Sequence, residues 1–101
     1  MRPWDAEGFE WDEANESELA DPRHLIQPWE VEQVFWSGPV GVPNRRGRSG
    51  DYKMVGRTNG GRKLTIVVQV KCVTRQLRPV SGWVGTPAEL SKYGREKGGR
   101  R

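Results

Sequence analysis

The chain has 101 residues, 34 % of them hydrophobic and 30 % charged, with a formal net charge of +4. That length holds one domain with one modest core, and no apolar run approaches the ~20 residues of a membrane-spanning helix. The single cysteine, Cys72, and single histidine, His24, exclude an internal disulfide and most zinc ligand sets.

The N-terminus is acidic and lacks a cationic region leading an apolar one, so it does not read as a signal peptide. The expected compartment is the cytoplasm. Residues 8–15, GFEWDEAN, open with a short strand in which Phe9 and Trp11 alternate with acids. Asp12 is placed to cap a helix entering at Glu13, with Ala14, Leu19 and Ala20 on its apolar side. Asp21-Pro22 ends it, because proline disfavours a helical residue before it. Residues 24–36 predict a second helix, with Pro28 in its first turn. Trp29, Val31, Val34 and Phe35 mark its buried face, and Glu30 and Glu32 fall on the other side. Trp11, Trp29 and Trp36 are core candidates.

Residues 37–44 hold two prolines and two glycines and read as a loop. NRRGRSG, residues 44–50, reads as a cationic loop between strands. A strand follows over 52–58. The Asn-Gly of residues 58–61 suggests a tight hairpin. Residues 62–73 predict a long central strand, with Leu64, Ile66 and Val68 on one face and Thr65, Val67 and Gln69 on the other. Cys72 falls in that strand. A third strand spans 75–84. Thr86, Pro87 and Glu89 form a capping-box pattern before a helix carrying Ala88, Leu90 and Tyr93. Residues 94–101 read as a polar, frayed tail. The whole is one α+β domain over 1–101, with its core at about 8–95 and a flexible tail at 96–101. A short N-terminal strand, two helices, a three-stranded antiparallel meander and a C-terminal helix follow in order, with helices on one face of the sheet.

The net charge hides a division. Residues 1–36 hold ten acids and two bases, whereas residues 37–101 hold fifteen bases and three acids. Such asymmetry points to an anionic partner for the second part; a surface that balances itself across the fold is the plainer reading. Antiparallel neighbours are expected to bring Arg57, Arg62 and Arg78 to one surface, where forked guanidiniums would cradle phosphates and offset charge in a phosphorane-like transition state. RNA cleaves itself when its 2′-hydroxyl attacks the adjacent phosphate. A protein then has only to align the chain, neutralise the phosphate and move two protons, without metal or cofactor. The available proton carriers are His24, Glu89, Tyr93 and Lys53. Trp83 is a candidate base-stacking platform, and Arg45, Arg46, Arg48, Lys53, Arg57 and Lys63 are candidate backbone contacts. DNA binding by the chain alone is the weaker reading, because the helix over 24–36 carries Glu30 and Glu32 where a recognition helix carries cations.

Four segments in order resemble the BrnT family, toxins of type II toxin–antitoxin modules with a RelE-like fold. FEWDEAN resembles the family's opening F-x-W-D-x-x-K/N. RHLIQPWEVEQVF, residues 23–35, resembles a basic-His-Gly start followed by a helix ending E-V-F. VGRTNGGRKLTIVV, residues 55–68, resembles I-G-x-T-x-x-G-R-x-L-x-V-V. LRPVSGWVGTPAELSKY, residues 77–93, resembles the closing R-x-I-S/T segment with its helix. The resemblance covers residues 9–93. It implies a RelE-like domain and an endoribonuclease that arrests growth by cutting RNA and blocking translation. It also implies a BrnA-like ribbon-helix-helix antitoxin, operator DNA being met only through that complex. By position, Arg62 and Arg78 match the family's basic active-surface residues, and His24, Glu89 and Tyr93 match positions its motif retains. The chain departs where Leu25 replaces the glycine after the histidine, where Trp83 and Gly85 stand for arginine and alanine, and where Asp51 stands near an arginine. A decayed RNA- or antitoxin-binding module without nuclease activity is the alternative that these departures motivate.

Overall fold

The structure, a computed structural model, describes residues 2–44 and 50–98. After a single 3₁₀ turn at Pro3–Asp5, the elements run β1 (Gly8–Phe9), α1 (Glu13–Ala20), α2 (Pro28–Trp36), β2 (Val40–Pro43), β3 (Tyr52–Arg57), β4 (Lys63–Lys71), β5 (Gln76–Val84) and α3 (Pro87–Gly98). The strands form one five-stranded sheet in the order β1-β5-β4-β3-β2. As its alternation predicts, β4 is the central strand.

The sheet differs from the expected meander in two ways. Residues 40–43, read as loop, form an edge strand antiparallel to β3. Val40 and Val42 alternate with Gly41, and Pro43 is tolerated because an edge strand has one ladder to lose. β1 pairs with β5 in parallel, Gly8 opposite Gln76 and Phe9 opposite Leu77, so the sheet is mixed rather than antiparallel. The α1–α2 excursion between β1 and β2 lets the chain re-enter at the opposite edge.

Leu64, Ile66 and Val68 of β4, with Met54 and Leu77, make the floor of the core, and Leu19, Ile26, Val31, Val34 and Phe35 roof it. α1 lies close over β5. A Cβ at Gly82 would stand 3.0 Å from Leu19 Cδ2 and 2.9 Å from Ile66 Cδ1, so any side chain there overpacks the joint. The ladder slips by one residue where Val67 faces Ser81 and Val68 faces Pro79, a bulge at the proline that has no N–H to give.

Capping follows the sequence. Asp12 accepts from Asn15 N at 3.1 Å while Asn15 Oδ1 accepts from Asp12 N at 2.8 Å. The helix stops at Ala20 before Asp21-Pro22. Its buried residues, however, are Asn15 and Leu19; Ala14 and Ala20 are exposed. The Asn15 side-chain amide also donates to Glu10 O at 2.9 Å and Pro79 O at 2.8 Å, tying α1 to the sheet.

In α2 the stripe Val31, Val34 and Phe35 is buried as expected. Trp29 and Trp36 are instead 61 % and 73 % exposed. They stand seven residues apart, two helical turns on one line, and that line lies away from the stripe. Trp11 is half-buried against the core and donates to Glu32 Oε2 at 3.0 Å.

The 58–61 turn is not a two-residue Asn-Gly hairpin. Gly61 N donates to Thr58 O, Thr58 N donates to Arg62 O, and Gly61, not Asn59, takes the positive φ of +87°. This is a three-residue loop closed by a left-handed glycine. β4 ends at Lys71, which leaves Cys72 exposed in the following turn rather than in a strand.

The helices do not share one face. α1 and α2 cover the core side; α3 packs against β2 and β3 from the other. Its capping box forms as expected, Thr86 N donating to Glu89 Oε1 at 2.9 Å and Glu89 N to Thr86 Oγ1 at 3.3 Å. The helix persists to Gly98, past the point where fraying is expected, and residues 99–101 lie outside the described residues. No helix among the described residues is long and apolar enough to cross a membrane.

Candidate nucleic-acid interface

Pleat alternation decides which side chains reach the α3 side. The register sets Lys53 opposite Val67, Val55 opposite Thr65 and Arg57 opposite Lys63 across β3 and β4, and Trp83 opposite Thr65 across β4 and β5. Lys53, Arg57, Lys63 and Trp83 therefore share one face, turned away from the acidic helices α1 and α2. Arg57 and Lys63 are exposed, and neither is ion-paired among the described residues. Like charges directly opposite each other destabilise a sheet. Beside them Ser37, Thr58, Asn59 and Gly61 complete a hollow of about 490 Å³ with Arg57. The pair is an electrostatic liability that an anion would relieve.

Glu89 is the organising carboxylate of this side. Its Oε1 accepts from Thr65 Oγ1 at 2.8 Å, Trp83 Nε1 at 3.1 Å and Thr86 N at 2.9 Å. Its Oε2 lies 3.7 Å from Lys53 Nζ. Burial opposes ionisation, but the hydrogen bonds from Thr86, Thr65 and Trp83 outweigh it and hold the carboxyl below its ordinary value of 4.5. A carboxylate so held is a weak proton acceptor at neutral pH and a durable hydrogen-bond acceptor. Thr65, fully buried, escaped the sequence reading. Its signal was a lone hydroxyl in an otherwise aliphatic strand.

The other expected site residues lie elsewhere. The guanidinium cluster of Arg57, Arg62 and Arg78 does not form. Arg62 turns to the α2 side, where Nη1 donates to Leu25 O at 2.7 Å and Glu30 Oε1 at 3.1 Å, and Nη2 donates to His24 O at 2.8 Å. Arg78, paired with Gln69 seven residues beyond Arg62, stands about 23 Å away at ~3.3 Å per residue. It donates to Glu10 Oε1 at 3.0 Å and Asp12 Oδ2 at 2.7 Å. Arg75 meets Glu7 at 2.8 Å. The acidic first third thus neutralises three arginines of the basic remainder, which is the self-balancing reading of the charge division for those residues.

His24 is a plug beside α1: Nε2 lies 3.4 Å from Glu18 Oε2, and Nδ1 is buried without a hydrogen-bond partner among the described residues. It lies on the Arg62 side, apart from Glu89. Tyr93 is half-buried on α3. Arg45, Arg46 and Arg48 lie outside the described residues.

The Arg78 side chain, through its hydrogen bonds, holds Asp12 below its ordinary 3.8, and Arg23 does the same for Asp21. With Glu89, these carboxyls are more acidic folded than unfolded. Their stabilisation is complete above the unfolded values of 3.8 to 4.5 and is lost as pH falls through the lower folded values. The urea midpoint is expected to be flat from about pH 7 to 5 and to drop below about pH 4. A midpoint unchanged at pH 3 would contradict this.

Comparison of the chain with protein-family models, curated proteins and solved structures finds no match.

Proposed function

We propose that this chain is the toxin of a type II toxin–antitoxin module, a BrnT-like endoribonuclease with a RelE-like fold, and that RNA lies on the α3 side of its sheet. The observation that carries the reading is the separation of charge across the sheet. Lys53, Arg57 and Lys63 face one way, the acidic helices the other. The strand, two helices, meander and final helix in that order, together with the four motif segments, support the same reading. In-line attack of a ribose 2′-hydroxyl forms its bond to phosphorus as the 5′-oxygen leaves. Arg57 and Lys63 neutralise the phosphate charge; Tyr93 is the group of this side that gives a proton to the leaving 5′-oxygen, and the 2′-hydroxyl proton passes to solvent. A BrnA-like antitoxin silences the protein by covering this face, and operator DNA is met only through that complex.

The test is induced expression in a bacterium with growth and total-RNA integrity followed together. Wild type is expected to arrest growth and degrade RNA; Arg57→Ala/Lys63→Ala is expected to do neither. In vitro, the double variant should bind single-stranded RNA more weakly whatever its sequence. Its salt dependence should fall in slope by about 1.4, ~0.7 for each phosphate left without its cation. An unchanged slope would remove these residues from the interface.

One observation favours a second reading, a binding module without nuclease activity: Arg62 and Arg78 are both engaged by the chain's own carboxylates. Salt-sensitive RNA binding without strand scission in metal-free buffer would select it.

A further inference from the structure

We propose that the hollow between β2, β3 and the first turn of α3 is a subsite for one guanine base of the bound RNA. This inference rests on the RNA-binding reading above. The hollow holds about 200 Å³ and is walled by Val40, Val42 and Val55, with Ala88, Lys53 and Glu89 completing it. That is below the ~300–1,000 Å³ of pockets that enclose drug-sized ligands, and it suits a single planar heterocycle between apolar walls.

Its polar equipment is specific. Glu89 Oε1 is saturated by three donors from Thr65, Trp83 and Thr86. These bonds fix the carboxylate plane, so the position of Oε2 is set before any ligand arrives. Among the described residues Oε2 has only Lys53 Nζ beside it, at 3.7 Å, too far for a hydrogen bond. The hollow therefore offers an acceptor with free lone pairs next to an ammonium with free protons.

Guanine matches that pair. Its edge sets a carbonyl acceptor, O6, beside two donors, N1–H and the N2 amine. The ammonium takes O6 while Oε2 accepts the N–H groups. The other bases fit worse. Adenine sets an amine against the ammonium. Uracil sets a second carbonyl against the carboxylate. Cytosine brings one donor group where guanine brings two.

The experiment titrates the full chain with short single-stranded RNAs identical except at one central position, which is guanosine, inosine, adenosine or uridine, read by fluorescence anisotropy at fixed salt. The guanosine RNA is expected to bind about tenfold tighter than the adenosine RNA. Inosine, which lacks the N2 amine, should fall between them. Glu89→Gln keeps an oxygen for the cap and sets an amide donor in place of Oε2, so it should abolish the guanosine preference. Its thermal unfolding is measured beside the wild type to show that the variant is folded. Equal affinity for all four RNAs would overturn the guanine subsite and leave the RNA-binding reading standing. Binding to none of them would overturn both. A guanosine preference that survives in folded Glu89→Gln would place its source outside the hollow and end the proposal.

Discussion

Asn15→Ala is expected to destabilise the domain by about 3 kcal/mol, because it strips hydrogen bonds from one buried and one partly buried backbone carbonyl at ~1–3 kcal/mol each. Asn15 is 3 % exposed. Its amide donates to Glu10 O and Pro79 O, and its oxygen accepts from Asp12 N. Pro79 stands at the bulge where the β4–β5 ladder slips, so the side chain supplies the joint that the strand lacks there. Asn15→Asp separates this role from simple capping. It preserves the acceptor for Asp12 N but turns an oxygen toward both carbonyls, and should be at least as damaging at neutral pH. Urea denaturation measures both. A loss under about 0.5 kcal/mol in Asn15→Ala, the scatter of ordinary surface changes, would show that the bridge contributes little.

Arg62→Ala is expected to cost about 2 kcal/mol of stability, less than the 3–5 kcal/mol of a fully buried pair because solvent reaches part of the side chain. The guanidinium holds His24 O, Leu25 O and Glu30 together. Leu25 has φ +54°, in the left-handed region that costs a side chain roughly 1–2 kcal/mol. Its side chain is 60 % exposed and returns little through packing. The turn is closed by His24 N and Leu25 N donating to Asp21 O, Arg62 satisfies its outward carbonyls, and a glycine at position 25, as in the resembling family, would relieve the backbone. The consequence for function is direct. A growth-arrest phenotype lost in Arg62→Ala would follow from a weakened fold. RNA affinity measured at a temperature where the variant is folded should equal that of wild type. An unchanged urea midpoint with lost RNA affinity would return Arg62 to the phosphate-binding surface.

Features set by neighbours within about four residues were legible in the sequence. Asp12 capping α1, Pro28 in the first turn of α2 (a helix that begins at Pro28 and not at residue 24), the Thr86–Glu89 box and the alternation of β4 all depend on local geometry. What depends on distant partners was not. β1 offers two residues, and nothing within it names a strand that begins at Gln76 or says that the two run parallel. Val40 and Val42 became a strand only because β3 lay beside them. Trp29 was expected inside on the face of Val31, Val34 and Phe35, and Trp36 as a large apolar residue. The rotation of α2 is decided by the three-residue stripe that fits the sheet, and it turned them out.

The candidate site divides in the same way. Legible along the chain were the caps, the central strand, the separation of acids from bases and the shared parity of Lys53 and Arg57, but with Arg62 rather than Lys63 expected beside them; the loop closed by Gly61 sets the register that faces Arg57 with Lys63 and turns Arg62 to the other side. Which acid meets which base was settled by folding. Ion pairs form between groups brought within a few ångströms, and their separation along the chain says nothing of that distance. So Arg62 and Arg78 close onto Glu30, Glu10 and Asp12, while Arg57 and Lys63, aligned by one strand register, remain free to meet an anion.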